Sequence, residues 1–303
     1  GYNSTAIGSF AKASGAISTA FGDFANASGG YSTSLGASSI ASASYSSALG
    51  WGANASGYYS TALVGSAKAS GNYSIALGYQ SNATQSYATA IGCFAIASGN
   101  NTIALSRSAK ARGDSAVALG YNTTASGNNA TALGRAAKAG QSNSVAIGYN
   151  SYTSGSGVIS RAIAIGYNAV ANKSDAIAIG GKYGARATTA AGTGSIAIGA
   201  TSRASGNFSI AIGGTSNTSM NVDSGYASNT YASSTNSIAI GTEANASYVN
   251  STAIGRGAKT TKSNQIVLGT SSDTVYIPGR LVVGGNAYIG DRLENNQCLY
   301  LGM

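Results

Sequence analysis

The chain offers little of what catalysis needs. It has no histidine, and its eight acids, Asp23, Asp114, Asp175, Asp223, Glu243, Asp273, Asp291 and Glu294, are scattered without a paired arrangement. Serine is plentiful, yet no base accompanies it to generate a nucleophile. The glycines form no phosphate loop, because no Gly-Lys-Ser/Thr follows them. A metal site lacks both histidine and a cysteine cluster, and Cys93 and Cys298 read as two isolated thiols rather than a disulfide framework. The expectation is therefore no enzyme, no catalytic residue, no metal and no cofactor. What remains is recognition chemistry. Tyr31, Tyr45, Tyr59, Tyr73 and Tyr87 recur at one spacing. They read either as an aromatic strip that stacks on sugar or protein, or as a structural ladder of ring on ring. Asn26, Asn54, Asn82 and Asn245 open Asn-X-Ser/Thr triplets that a secretory route could glycosylate. The 17 basic and 8 acidic residues give a net charge of +9 without any Lys/Arg run. That balance predicts no nucleic-acid partner and at most a mild attraction to anionic surfaces.

The element that positions these groups is a short repeat. Gly8, Gly22, Gly36 and Gly50 share one constant spacing, a period of 14, and Gly78, Gly92, Gly120, Gly134 and Gly148 continue in step. Slots 64 and 106 keep the register but hold Val64 and Ser106. A fixed short period means stacked coils of one unit, hence a solenoid. Abundant Ser, Thr, Asn, Ala and Gly would otherwise suit a disordered segment, but disorder needs no register.

With the repeating glycine as column 0, column 13 is always large and apolar (Leu77, Ile91, Leu105), column 11 is mostly β-branched (Thr89, Ile103, Val117), and column 12 is alanine except at Ser34. This alternation predicts one short strand. Columns 2–6 predict a second, with alanine at column 5 and a mainly polar column 4 that faces water. Column 0 is the sharper turn, where glycine takes positive φ cheaply. The packing expectation puts columns 11 and 13 into the lumen against the small residues of columns 3 and 5. The alanines of column 12, Ala20, Ala48, Ala62, Ala76, Ala90, Ala118 and Ala146, then approach another chain. The opposite arrangement, alanine in the lumen and the large residues on an outer interface, fits the same pattern. Either way one coil buries few large side chains, and ordering costs about 1–2 kcal/mol per residue. Several rolls along one axis would bury a further face in every coil.

After Gly148 the glycine slot is held by Gly166, Gly180, Gly199, Gly213, Gly241, Gly255 and Gly269. Three spacings are long: Gly148 to Gly166, Gly180 to Gly199 and Gly213 to Gly241. The extra residues are expected near 153–160, 186–194 and 219–236, after the column 5 strand, so that all emerge along one edge. The longest spacing equals two periods and reads equally as an additional coil. Residues 1–270 form the array, about 80 Å long at about 4.8 Å per coil. Residues 271–303, which contain the lone Pro278, read as a distinct β segment with strands at 280–284 and 287–290.

Ser144-Val145-Ala146-Ile147-Gly148, Ser195-Ile196-Ala197-Ile198-Gly199 and Ser237-Ile238-Ala239-Ile240-Gly241 resemble the head repeats of YadA-like trimeric autotransporter adhesins. The resemblance implies a left-handed parallel β-roll, an all-β homotrimer with intertwined or side-by-side chains around one axis, and an extracellular, adhesive role on a cell or virion surface. The segment from Asn264 to Gly279 is similar instead to viral fibre or tail proteins that carry the same repeat. The chain opens in mid-repeat and reads as part of a longer protein. No stretch is long enough for a transmembrane helix, so no membrane insertion by this segment is expected. Host-surface protein or glycan is the expected partner, and a pure spacer carrying its binding tip elsewhere is the competing role. Attachment is expected at the insertions, through Met220, Tyr226 and Tyr231 on the longest and Tyr152 and Tyr183 on the shorter ones. Inserted turns escape the packing constraints of the repeat and can present isolated aromatics.

Overall fold

A computed structural model describes residues 1–154, 161–182, 186–214 and 229–284. The described chain is all-β, with no helix. Three-residue strands, from Thr5–Ile7 to Ile266–Leu268, form one 18-stranded sheet, and two-residue strands, from Lys12–Ala13 to Asn245–Ala246, form a second sheet of 16. Each strand pairs in parallel with its equivalent one coil away. Thr89, Ala90 and Ile91 lie against Ile103, Ala104 and Leu105, and Asn82 and Ala83 against Ile96 and Ala97. The turns join the ladder as well: the Gly92 N–H donates to the Leu77 carbonyl at 2.7 Å, and the Tyr87 N–H to the Asn72 carbonyl at 2.8 Å. Backbone polar groups are thus satisfied along the axis at turns and strands alike.

The lumen reverses the packing expectation. Ser81, Ala83, Ala88 and Ala90, at columns 3, 5, 10 and 12 of one coil, are all 0% exposed. Columns 11 and 13 point outward, with Leu105, Leu119 and Leu133 at 38, 37 and 39% exposure. Ala20, Ala48, Ala62, Ala76, Ala90, Ala118 and Ala146 have no accessible surface within a single chain, so they cannot line a contact between chains. The cause is geometric. Alternate strand residues face opposite sides, and a coil of two such short strands closes around small side chains only.

Column 10 supplies the lumen's polar partner. The Ser144 hydroxyl donates to the Gln141 carbonyl at 2.6 Å, Ser195 to Gly192 at 2.7 Å and Ser209 to Gly206 at 2.7 Å. A buried hydroxyl is tolerated when so paired. The serine that opens each Ser-Ile-Ala-Ile-Gly therefore closes the turn just before it.

Column 0 glycines bear out the turn reading. Gly78 has φ +135°, and a Cβ there would lie 2.6 Å from the Gly92 backbone. Columns 2 and 9 are also left-handed, which residue types alone do not disclose: Phe24, Tyr31, Tyr59, Asn129 and Asn250 have φ of 54–58°. Asparagine tolerates this region, whereas an aromatic residue does so at a cost on the order of 1 kcal/mol.

The insertions do not share one edge. The first follows the strand Tyr152–Thr153, as expected. The other two precede the strands Thr189–Ala190 and Tyr231–Ala232, at the opposite turn, so 189–194 and 231–236 belong to regular coils. Arg203 pairs directly with Tyr231, and Ile210 with Ile238. The Gly213–Gly241 spacing is one coil carrying extra residues rather than two coils in the stack. Beyond Leu268 the described residues contain no strand, which corrects the strand expected at 280–284; Leu281 and Val282 are exposed and pair with no strand among the described residues. The strand expected at 287–290 lies outside the described residues.

Candidate binding surfaces

Three surfaces emerge from this geometry. The first is the outer face of the long sheet. Columns 11 and 13 place two outward residues per coil side by side over all 18 strands, and Ile7, Phe21, Leu35, Ile75, Ile103, Leu105, Ile240 and Ile254 are among its exposed members. Column 13 is apolar in every coil, column 11 alternates Thr or Ser with Ile or Val, and an exposed apolar row of this length marks an interaction surface.

The second is the column 9 edge. Tyr31, Tyr45, Tyr59, Tyr73 and Tyr87 stack in sequence with centroids 4.9, 4.5, 5.5 and 5.0 Å apart and planes within 2–6°. Tyr58 meets Tyr59 edge-on at 4.5 Å. Lost solvation, and then the hydrogen bond with Tyr58, hold the Tyr59 phenol above the usual tyrosine value. Each interior ring spends both faces on its neighbours, so the column offers edges and hydroxyls rather than open faces. That is the ladder reading; a sugar-stacking strip needs a free face. Asparagine replaces tyrosine further along, where Asn236 Nδ2 donates to Asn250 Oδ1 at 3.1 Å and Asn250 Nδ2 to Asn264 Oδ1 at 3.0 Å. On the same edge Arg161 pairs with Asp175 at 2.7 Å, and that hydrogen bond holds the aspartate below its ordinary range.

The third surface surrounds the insertions. Tyr152 and Tyr231 lie on column 4 strands of the short sheet, not on inserted turns. Tyr152 lines an open groove of about 400 Å³ with Lys138, Asn150, Asn168, Val170 and Lys182. Tyr231 lines another of about 340 Å³ with Arg203, Asn229, Glu243, Asn245 and Lys259, and the Arg203 guanidinium sits 5.8 Å from its ring centroid. Met220, Tyr183 and Tyr226 lie outside the described residues, as does Cys298. Among the described residues no group of three or more His, Cys, Asp or Glu side chains could hold a metal, and Cys93 is a free, half-buried thiol. The triplet asparagines Asn26, Asn54, Asn82 and Asn245 are half-buried on the short sheet. No helix of the described residues is long and apolar enough to cross a membrane.

The family model of the YadA head domain repeat, in its two-copy form, matches residues 1–25, 18–39, 27–53, 41–63, 69–93, 107–123, 111–137, 125–151, 160–182, 190–216 and 232–258, which is well over half of the chain. No curated protein matches it.

Proposed function

The chain belongs to the YadA head-domain repeat family, and from that premise we propose that it is a non-enzymatic fibre of a homotrimeric surface adhesin, displayed outside the cell or on a virion and attaching it to a host protein or glycan. The observation that carries this reading is the unbroken row of large apolar residues at column 13 on the outer face of the long sheet. A single chain closes its lumen with alanine and serine and leaves its large aliphatic residues outside. Three copies that turn these faces to a common axis would bury them and leave the short sheet in water. The interface residues then belong to columns 11 and 13, in place of the alanines of column 12.

Two parts of the rod differ in character. The aromatic column of residues 31–87 is consumed by its own stacking, which favours a spacer role for that part. The region from Lys138 to Lys259 has grooves in which Tyr152 and Tyr231 sit beside cations, which supports attachment there together with the inserted Met220, Tyr183 and Tyr226. The test is an excision guided by register. Removing residues 215–228 takes out one full period and returns the Gly213–Gly241 spacing to that of a plain coil. The variant should fold and assemble as the parent does but attach to host cells more weakly. Unchanged attachment would reject the long insertion as the site.

A further inference from the structure

Six of the ten cations between residues 106 and 214 lie on one side of the rod, while Arg112, Arg161 and Lys173 sit at the opposite turn. Between residues 106 and 214 the only acids are Asp114 and Asp175, at columns 8 and 9. Arg107, Lys110, Arg135, Lys138, Lys182 and Arg203 occupy columns 1, 2 and 4, on the first turn and the short sheet. The ladder Lys110–Thr124–Lys138–Tyr152–Val170–Thr189–Arg203 carries them along the axis. Six coil steps of about 4.8 Å make the strip about 30 Å long.

Its repeat is regular where it is densest. Arg107 and Lys110 recur two coils later as Arg135 and Lys138, so the same pair of cations is presented twice about 10 Å apart. Tyrosines hold the arginines in place. The Arg107 guanidinium lies 4.5 Å from the Tyr121 centroid, and Arg135 sits between Tyr121 at 5.7 Å and Tyr149 at 5.5 Å. A guanidinium held over a ring keeps its outer N–H edge free for bidentate contact with an oxyanion, at a reduced cost of ordering. Lys138 and Lys182 then converge on the groove beside Tyr152.

We infer that this strip binds an extended sulfated polysaccharide, with the sulfates on the Arg/Lys pairs and the chain running along the rod. The inference rests on the adhesive-fibre reading and deepens it by naming the ligand class. Charge density selects the occupant. Duplex DNA carries one charge per about 1.7 Å of axis, far denser than cation pairs about 10 Å apart, and nothing here enters a groove of the duplex. A sulfated glycan is a flexible single chain whose sparser strong-acid groups match a straight, one-sided row. Lys110, Lys138 and Arg203 lie on the sheet opposite the apolar face, and Arg107, Arg135 and Lys182 on the turn between the sheets, so the lysines of the short sheet remain in water when that face is covered.

The experiment measures binding of residues 1–303 to immobilised heparin by interferometry between about 50 and 200 mM salt. Chemically desulfated heparin and a short DNA duplex run in parallel. The wild type should bind heparin in a salt-dependent manner and ignore the desulfated form. Arg107→Ser, Lys110→Ser, Arg135→Ser and Lys138→Ser combined should weaken binding at least about tenfold and lower the salt slope by up to about 1 per lost contact. Lys12→Ser, Lys68→Ser, Arg256→Ser and Lys262→Ser remove the same charge elsewhere and should retain most of the binding. Circular dichroism and light scattering check that both variants keep fold and assembly; most of the replaced side chains are exposed. Absent heparin binding, equal loss in the two variants, or tighter binding of DNA would each overturn the inference. Cell attachment separates the two readings. A wild type that ignores heparin yet attaches to cells stripped of sulfated glycans sinks the strip and leaves the adhesin. A wild type that binds heparin but attaches to no cell sinks the adhesin and leaves the strip.

Discussion

Replacing Leu105, Leu119 and Leu133 together with serine tests whether the proposed trimer packs through the long sheet. These side chains come from three successive coils, project from the long sheet and keep 37–39% of their surface exposed in the single chain. Full burial of a leucine is worth roughly 1.5–3 kcal/mol. Covering the remaining two-fifths is then worth roughly 0.6–1.2 kcal/mol each, or roughly 2–4 kcal/mol per chain for the triple variant. Three chains multiply this to on the order of 5–10 kcal/mol per assembly, enough to move the association midpoint by several decades in concentration. Sedimentation velocity over a dilution series reads that midpoint directly. Ala118→Leu is the companion. It adds three carbons to a side chain with no exposure, between Ala104 and Ala132, in a coil whose lumen is lined by the equally buried Ala109, Ala111 and Ala116. Overpacking costs about 1–3 kcal/mol in ordinary cores, and the upper end or beyond is expected here, seen as a lower melting temperature. A trimer indifferent to the three serines would show that columns 11 and 13 do not face the axis. An unperturbed Ala118→Leu would show that the lumen has been assigned to the wrong columns.

Val64→Gly should raise the melting temperature by about 1–2 °C: a β-branched residue at φ 80° is strained, and its side chain is 49% exposed, so little packing is lost. Tyr59→Asn should change stability by less than about 1 kcal/mol, because loss of stacking is offset by relief at φ 55°; a loss of host attachment in this variant would contradict the spacer reading of the ladder. The Asp175 carboxylate is depressed by Arg161, so the ion pair's contribution is complete above the ordinary aspartate range and disappears as pH falls through the lowered value. Amide exchange of the adjoining turn should therefore accelerate only in strong acid, and Arg161→Ser should raise exchange at neutral pH and remove that acid-dependent step.

Much of the fold is legible in the chain, and the inversion of its lumen shows where legibility stops. The short period, the alternation of Ile103, Ala104 and Leu105, and the glycines at φ near +130° follow directly from residue types. The direction of that alternation does not, since either face of a short strand satisfies it. The rule that large apolar residues go inside fails in a coil too thin to hold them. Variation within the chain carries the missing signal. Column 11 wanders among Thr, Ser, Ile and Val, which a filled lumen would resist, while columns 5 and 12 hardly leave alanine. The left-handed column 9 is likewise marked by Asn101, Asn129, Asn143 and Asn250, but the tyrosines at its other end hide it. Tyr152 and Tyr231 read as aromatics near insertions, yet the ladder sets them in strands, because the register of Lys138 with Tyr152 and Arg203 with Tyr231 overrides linear distance.

The basic strip is hidden for a related reason. A search for runs of Lys and Arg finds none, because the pair Arg107 and Lys110 stands far along the chain from the pair Arg135 and Lys138. Stacking converts the stretch from Lys110 to Lys138 into two steps of the ladder, so groups remote in sequence become neighbours along the axis. The same conversion divides the molecule's labour. Lumen columns are confined by coils above and below and are filled by alanine, serine and threonine. The outer columns are confined only by what covers them. Column 13 of the long sheet, apolar in every coil from Ile7 to Leu268, behaves as a row under one constraint throughout. The short sheet changes from lysine to asparagine, isoleucine, tyrosine and arginine along its length, as a face in water is free to do. On the proposed reading, ligand specificity in such a rod is written lengthwise on the short sheet and its turns, and assembly once per coil on the long one.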